Sequence, residues 1–189
     1  MLDFQAARYL INQEIPGQTG NDHPTMTPMG TYPTLDGYIN IASAGNEMWK
    51  RLCKALNIEK YTNDKDFLND DLRTKNRKRL TKIIVEALSQ GTNNEWILKL
   101  NKVSIPCGPI NNIEEVFSDP QVKHNNMSQS VIHNKLGNIN LVGQPVKLSR
   151  TPSNFYKAAP EKGEHTEEIL EELGYKSEKI KLLKMRKVI

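Results

Sequence analysis

At 189 residues the chain can form one domain or two small ones, and 37% hydrophobic residues is low for a self-sufficient globule but not disordered, with an ordinary 25% charged. Its net charge of +4 is spread over scattered lysines and only 6% of residues are aromatic, which argues against a nucleic-acid surface. Such a basic face would at most help to attract a phosphate-bearing small molecule. No apolar run reaches membrane-spanning length, no signal peptide is evident, and Cys53 and Cys107 lack metal-ligand spacing. The expectation is a cytoplasmic protein with two reduced, buried thiols.

Leu2 to Glu14 reads as an amphipathic helix, with Leu2, Ala6, Tyr9 and Leu10 near one face. Its apolar positions begin at once with no capping residue before them, a first sign that the natural protein begins earlier. Ile15-Pro16-Gly17 stops the helix. From Gly17 to Gly30 the chain is rich in helix breakers (Gly20, Asn21, Pro24, Pro28), which predicts a loop. Asp36-Gly37, followed by the alternating Tyr38-Ile39-Asn40-Ile41, predicts a β-hairpin. The breaker-rich loop suits a plain linker or a flap over a ligand, and the residues alone do not choose between them.

Glu47 to Leu56 carries Met48, Trp49, Leu52 and Leu56 at helical spacing, with Asn46 as the expected N-cap. Short helical turns follow over Asn57–Thr74. Thr74 to Ser89 is predicted as a helix with Leu80, Ile83, Ile84, Ala87 and Leu88 inward. Its start gathers Arg73, Lys75, Arg77, Lys78 and Arg79, a run that could hold a phosphate but is expected to be solvated. Thr92-Asn93-Asn94-Glu95 is a capping-box pattern opening a helix to Asn101. Ser104 to Ile110 reads as extended, Ile113–Phe117 as a short helix, and Asp119-Pro120 as the start of another. Strands are expected at Met127–His133, Ile139–Val142 and Pro145–Leu148. A helix at Thr166–Leu173 and a last one capped by Ser177 and carrying Ile180 and Leu183 close the chain.

No P-loop, dinucleotide-binding glycine motif, HExxH or nucleophile elbow is present. His23, His124, His133 and His165 have no second metal ligand at a useful spacing, and His165 suits helix capping. Asp36 is explained by its turn, and Asp3 by local bonding on its helix. The expectation is a binding loop without a catalytic residue or a metal site.

Seven short stretches, in order, carry a resemblance. They are Met1-Leu2-Asp3, Gly20-Asn21-Asp22-His23-Pro24, Gly30 to Ile39, Trp49 to Leu56, Ile105 to Asn111, Asp119-Pro120-Gln121-Val122, and Gly163-Glu164-His165-Thr166. Together they resemble the second half of the class III CoA-transferases, of the formyl-CoA and carnitine CoA-transferase type. The resemblance implies an α+β chain of the wider α/β family. A small α+β domain would be followed by a C-terminal segment that completes a Rossmann-like large domain absent from this chain. It implies a linker helix and hinge loop over residues 1–30, the small domain over 31–125, and the return segment over 126–189.

In that family an aspartate attacks the acyl-CoA thioester, and CoA passes through an aspartyl thioester to a free carboxylic acid. The resemblance therefore implies coenzyme A and acyl-CoA as substrate, with no covalently bound cofactor. It also implies an interlocked homodimer, or another chain supplying the N-terminal half. The nucleophilic aspartate belongs to the half before Met1, and Asp3 matches a different, non-nucleophilic position, so residues 1–189 alone are expected to be inactive. Gly20, His23, Pro24, Met29, Gly30 and Tyr32 are expected to wall the acyl group, with a purely structural linker as the competing reading. Asn46 would meet an anionic acyl group if it is not simply a cap. The related acyl-CoA racemases place a glutamate where Gly45 aligns here, which favours a transferase, whereas Glu47 close by would suit the racemase reading. A non-catalytic CoA-binding or partner-docking module and a racemase fragment are the alternatives.

Overall fold

The computed structural model describes residues 3–155 and 157–189, without the Asp3 side chain. Met1, Leu2 and that side chain, on which the expected helix start at Leu2 and the first of the seven stretches fall, lie outside the described residues. The chain is a mixed α and β protein and divides into two compact units, Met1–Ile110 and Asn111–Ile189. The boundary at Ile110 groups the helices after it with the second unit, whereas the sequence reading set its line after Asn125.

In the first unit, helix α1 (Asp3–Asn12) precedes the hinge loop. Strand β1 (Met29–Pro33) then pairs antiparallel with β2 (Tyr38–Ala42), Met29 opposite Ala42 and Pro33 opposite Tyr38. The tight turn falls where Asp36-Gly37 placed it, closed by Thr34 N–H to the Gly37 carbonyl at 2.9 Å. β2 alternates as its sequence demands: Ile39 and Ile41 are buried, and Tyr38 points outward. The extended segment over 104–110 supplies a third strand, β3 (Cys107–Pro109), which pairs antiparallel with β2.

Helices cover one face of this sheet. α2 (Gly45–Ala55) buries Trp49, Leu52 and Cys53, and α4 (Arg77–Leu88) buries Leu80, Ile84 and Leu88 at helical spacing. α5 (Asn93–Lys102) buries Trp96 and Leu100 and starts at the capping box read from the sequence: Thr92 accepts from Glu95 N–H while Glu95 accepts from Thr92 N–H. Those bonds hold the Glu95 carboxyl below its ordinary range. The helix expected from Thr74 is two helices, α3 (Asp70–Lys75) and α4, because Asn76 leaves helical geometry and its side-chain amide donates to the Asp66 and Leu72 carbonyls. Phe67 and Ile105 complete the core. Cys53 is buried, which pushes its thiol up to about 11, but Cys107 is only half-buried, so the expectation of two buried thiols holds for one. By contrast α1 leaves Leu10 and Ile11 at 72% and 79% exposed.

The second unit holds α6 (Ile113–Ser118), α7 (Pro120–His124), the hairpin β4 (Ser128–His133) with β5 (Gly137–Val142), α8 (Thr166–Glu172) and α9 (Ser177–Met185). Asp119 caps α7 as expected, accepting from Gln121 and Val122 N–H with Pro120 at the first helical position. Three readings are corrected. Residues 145–148 form no strand. Lys176 rather than Ser177 is the N-cap of α9, and neither it nor His165, at the start of α8, caps through its side chain. Pro145 has no N–H to give a ladder, and the two-stranded sheet ends with Val142. Among the described residues no helix is long and apolar enough to cross a membrane.

Candidate functional site

The loop from Gly20 to Pro28 is gripped from one side by the start of the α3–α4 region. Arg73 is wholly buried and donates from Nε to the Thr27 carbonyl at 3.1 Å and from Nη1 to the Phe67 carbonyl at 2.8 Å. Thr74 Oγ1 donates to the Thr25 carbonyl at 3.0 Å. Arg77 Nη2 donates to the His23 carbonyl at 2.6 Å and lies 3.3 Å from that of Pro24, while Nη1 faces the Asp22 carboxylate at 3.5 Å. Four loop carbonyls are thus turned inward and satisfied by side chains 46 to 54 positions away in sequence. A loop so bonded is a fixed wall rather than a loose flap, because several bonds must break together before it moves and the one to the Thr27 carbonyl is fully buried.

This corrects the reading of the basic run. Arg73, Arg77 and Arg79 are all engaged within the chain, Arg79 by Asp64 and Asp66 at 2.7 and 2.5 Å. Burying the Arg73 charge is tolerated because Asp70 lies 2.8 Å from its Nη2 and carbonyls take the remaining donors. Its guanidinium also lies 5.6 Å from the Trp49 ring centre.

The sequence-predicted site residues divide between two places. Gly20 adopts φ +61°, a left-handed turn, and opens the loop. His23 and Pro24 sit at its clamped centre. The His23 N–H donates to the Met29 carbonyl at 2.8 Å, which folds the loop back over the edge of β1. Gly30 permits that close approach, since a Cβ there would run into Asp22 Oδ1 and lie 3.2 Å from the Asn21 carbonyl. Tyr32 is 2% exposed; burial first, and then the Asp22 carboxylate, raise its hydroxyl well above the usual tyrosine range, against the opposing Arg77 charge. Tyr32 is therefore a core residue whose edge meets the loop, while Met29 is half-buried at the start of β1.

Asn46 lies elsewhere in the site and does not cap α2. The N-cap is Ala44, without a side-chain bond, and Asn46 Oδ1 instead accepts from Arg73 Nη2 at 3.1 Å. The first N–H of α2, from Gly45, donates to the Asp70 carboxylate at 3.0 and 3.2 Å. That helix start already faces an internal anion. Asp70 and the structural role of Arg73 were missed by the sequence reading; acid and base three apart at a helix start were the available signal. Glu47, the neighbour weighed as a racemase glutamate, is exposed and bonded to Lys50 at 2.7 Å, and that ammonium holds its carboxyl below the usual range. Among the described residues no cluster of three metal-ligating side chains occurs.

The sequence profile of CoA-transferase family III matches residues 1–166. The succinyl-CoA:glutarate CoA-transferase of Homo sapiens is 32% identical over 172 residues, which are 91% of this chain and 39% of that protein. The succinate–glutarate CoA-transferase of Agrobacterium fabrum is 29% identical over 92% of this chain and 45% of its own length. A crystal structure of a CAIB/BAIF family protein from Brucella suis superposes with a TM-score of 0.76 at 30% identity, over 91% of this chain and 44% of that one. The chain thus spans about two fifths of the length of these curated relatives.

Proposed function

The chain belongs to CoA-transferase family III, and from that membership we propose that residues 1–189 are the C-terminal part of an acyl-CoA:carboxylate CoA-transferase. In this reading the hinge loop walls the acyl end of the site, and residues outside the chain bring the attacking aspartate. The observation that carries it is the clamp of Arg73, Thr74 and Arg77 on the loop carbonyls. Four of its carbonyls are held inward, and the half-buried His23 ring stacks on Phe4. A wall that does not yield protects a reactive acyl intermediate from water. Residues 31–125 act as the small domain and 126–189 as the return segment of the large one. The largely exposed faces of Leu10, Ile11 and Ile15 on one side and of Ile132 and Val142 on the other supply apolar area for that packing. The working protein is a dimer that takes an acyl-CoA and a free acid. The names of the relatives direct attention to short dicarboxylic acids, succinyl-CoA as donor and glutarate as acceptor.

The test is a transfer assay with succinyl-CoA and glutarate, run on the chain alone and on the chain co-expressed with the polypeptide encoded directly upstream of it. No turnover is expected from the chain alone and measurable glutaryl-CoA from the pair. Turnover by residues 1–189 alone, or none from the pair, overturns the reading.

A further inference from the structure

We infer that His23 is a specificity-determining residue, whose Nε2–H donates to a carboxylate oxygen of the substrate bound against the hinge loop. The inference rests on the reading of this loop as the acyl-site wall. Its own grounds lie in how the imidazole is held. His23 Nδ1 accepts hydrogen bonds from the backbone N–H groups of Thr25 at 3.3 Å and Met26 at 3.1 Å. A backbone amide can only donate, so Nδ1 carries the lone pair and the ring proton of the neutral imidazole is on Nε2. The bonding is that of an Asx turn with an imidazole nitrogen in place of the side-chain oxygen.

The ring is fixed in space as well as in tautomer. Phe4 stacks on one face with centroids 5.2 Å apart and planes at 21°. The His23 carbonyl is held by Arg77 and its N–H by Met29. The one strong polar group of this residue left over is Nε2–H, for which the described residues supply no hydrogen-bond acceptor. The nearby Asp22 carboxylate faces Arg77 at 3.5 Å, which offsets its repulsion of an incoming anion.

The molecule contains an internal parallel. His133 is held in the same way, with Nδ1 accepting from Lys135 and Leu136 N–H at 3.1 and 3.2 Å. There Nε2 faces a carboxylate of the chain itself, Glu161, at 4.0 Å. The same turn chemistry thus places Nε2 toward an internal carboxylate at His133, beyond hydrogen-bond range, and toward none at His23, on a loop four of whose carbonyls are bonded inward. A carboxylate is the partner that suits a fixed, neutral N–H donor best, because a charged acceptor about doubles the strength of the bond. It can belong to the free acid or to the far end of a dicarboxylic acyl-CoA.

His23→Asn separates the two ring nitrogens. Asn keeps an acceptor at the Nδ1 position for Thr25 and Met26 and removes the distal donor, whereas His23→Gln returns a donor at the distal position. The co-expressed transferase is assayed with glutarate against butyrate as acceptor, and with succinyl-CoA against butyryl-CoA as donor. In His23→Asn the dicarboxylate preference in kcat/KM is expected to fall about tenfold, mainly through KM, with partial recovery in His23→Gln. A fall confined to glutarate assigns the contact to the acceptor, and one confined to succinyl-CoA assigns it to the acyl donor. An unchanged preference in His23→Asn overturns the inference and leaves the proposed function standing. So does equal loss with every substrate accompanied by a lowered melting temperature, since that marks a purely structural histidine. Absence of transfer by the wild-type pair overturns the proposed function itself, and this inference with it.

Discussion

At the scale of single residues, Arg73 decides the most. It is wholly buried and joins the Thr27 carbonyl, the Phe67 carbonyl, Asn46 and Asp70, so the loop, the turn before α3 and the start of α2 meet on one guanidinium. Its planar fork of donors makes this possible, and a lysine could not serve so many acceptors. Arg73→Met keeps much of the volume but strands two carbonyls and the carboxylate. It should lower unfolding stability by about 3–5 kcal/mol, measured by urea denaturation of the chain followed by tryptophan fluorescence, since Trp49 lies against the residue. A loss under about 1 kcal/mol would mean that water replaces the guanidinium at little cost. From sequence this arginine looked like one member of a solvated basic run. The partners that change its meaning stand up to 46 positions away, and no local pattern encodes them. A separation of 25 positions likewise concealed Asp70 as the anion at the start of α2, for which adjacent Asn46 was the natural local candidate.

At the scale of elements, whatever is governed by neighbours in sequence was legible. The Asp36-Gly37 turn and the capping box before α5 lie where the residues put them, as does the Asp119-Pro120 start of α7. Pairing between distant segments was not legible: Ser104–Ile110 reads as extended, but nothing local says that Cys107–Pro109 joins β2. Pro145–Leu148 shows the reverse error, since β-prone composition forms no strand without a ladder to join. Asp36 has a role beyond its turn, for Oδ1 accepts from Asn93 N–H at 2.7 Å and helps to cap α5 from the hairpin. That helix start is therefore capped twice, by Thr92 and by Asp36. Thr92→Ala should cost about 1 kcal/mol in thermal or urea unfolding. Adding Asp36→Ala should cost more than the sum of the single changes, because each cap partly covers for the other. Simple additivity in that double-mutant cycle would show the two caps to be independent.

At the scale of the molecule, the two compact units differ in what holds them. The first has a continuous core of Ile39, Ile41, Trp49, Leu52, Phe67, Leu80, Ile84, Leu88 and Leu100. Among the described residues of the second, only Val131 and Ile180 are buried apolar side chains. Burial of apolar area is the main favourable contribution to folding. Amide hydrogen exchange of the isolated chain should therefore show α2, β2 and α4 protected longest, with β4, β5, α8 and α9 exchanging at least tenfold faster. Equal protection in both units would show that the second has found a cover for Ile132, Leu136, Val142 and Ile169, which are all exposed in this chain. The family and the mixed fold were legible because seven short stretches occur in order. The boundary at Ile110 was not, since compactness depends on contacts that no single stretch displays.

Gly45 narrows the evolutionary routes open to this fold. Its φ of +76° belongs to the left-handed region, and a Cβ added there meets nothing within 4 Å. There is room at this position for a larger side chain, but the backbone geometry does not welcome one. Any other side chain at φ +76° pays about 1–2 kcal/mol in backbone strain. A variant chain could not take another side chain at this position without backbone strain. It would first have to remake the turn between β2 and α2, and with it the contact between Gly45 and Asp70 that binds the start of α2 to α3.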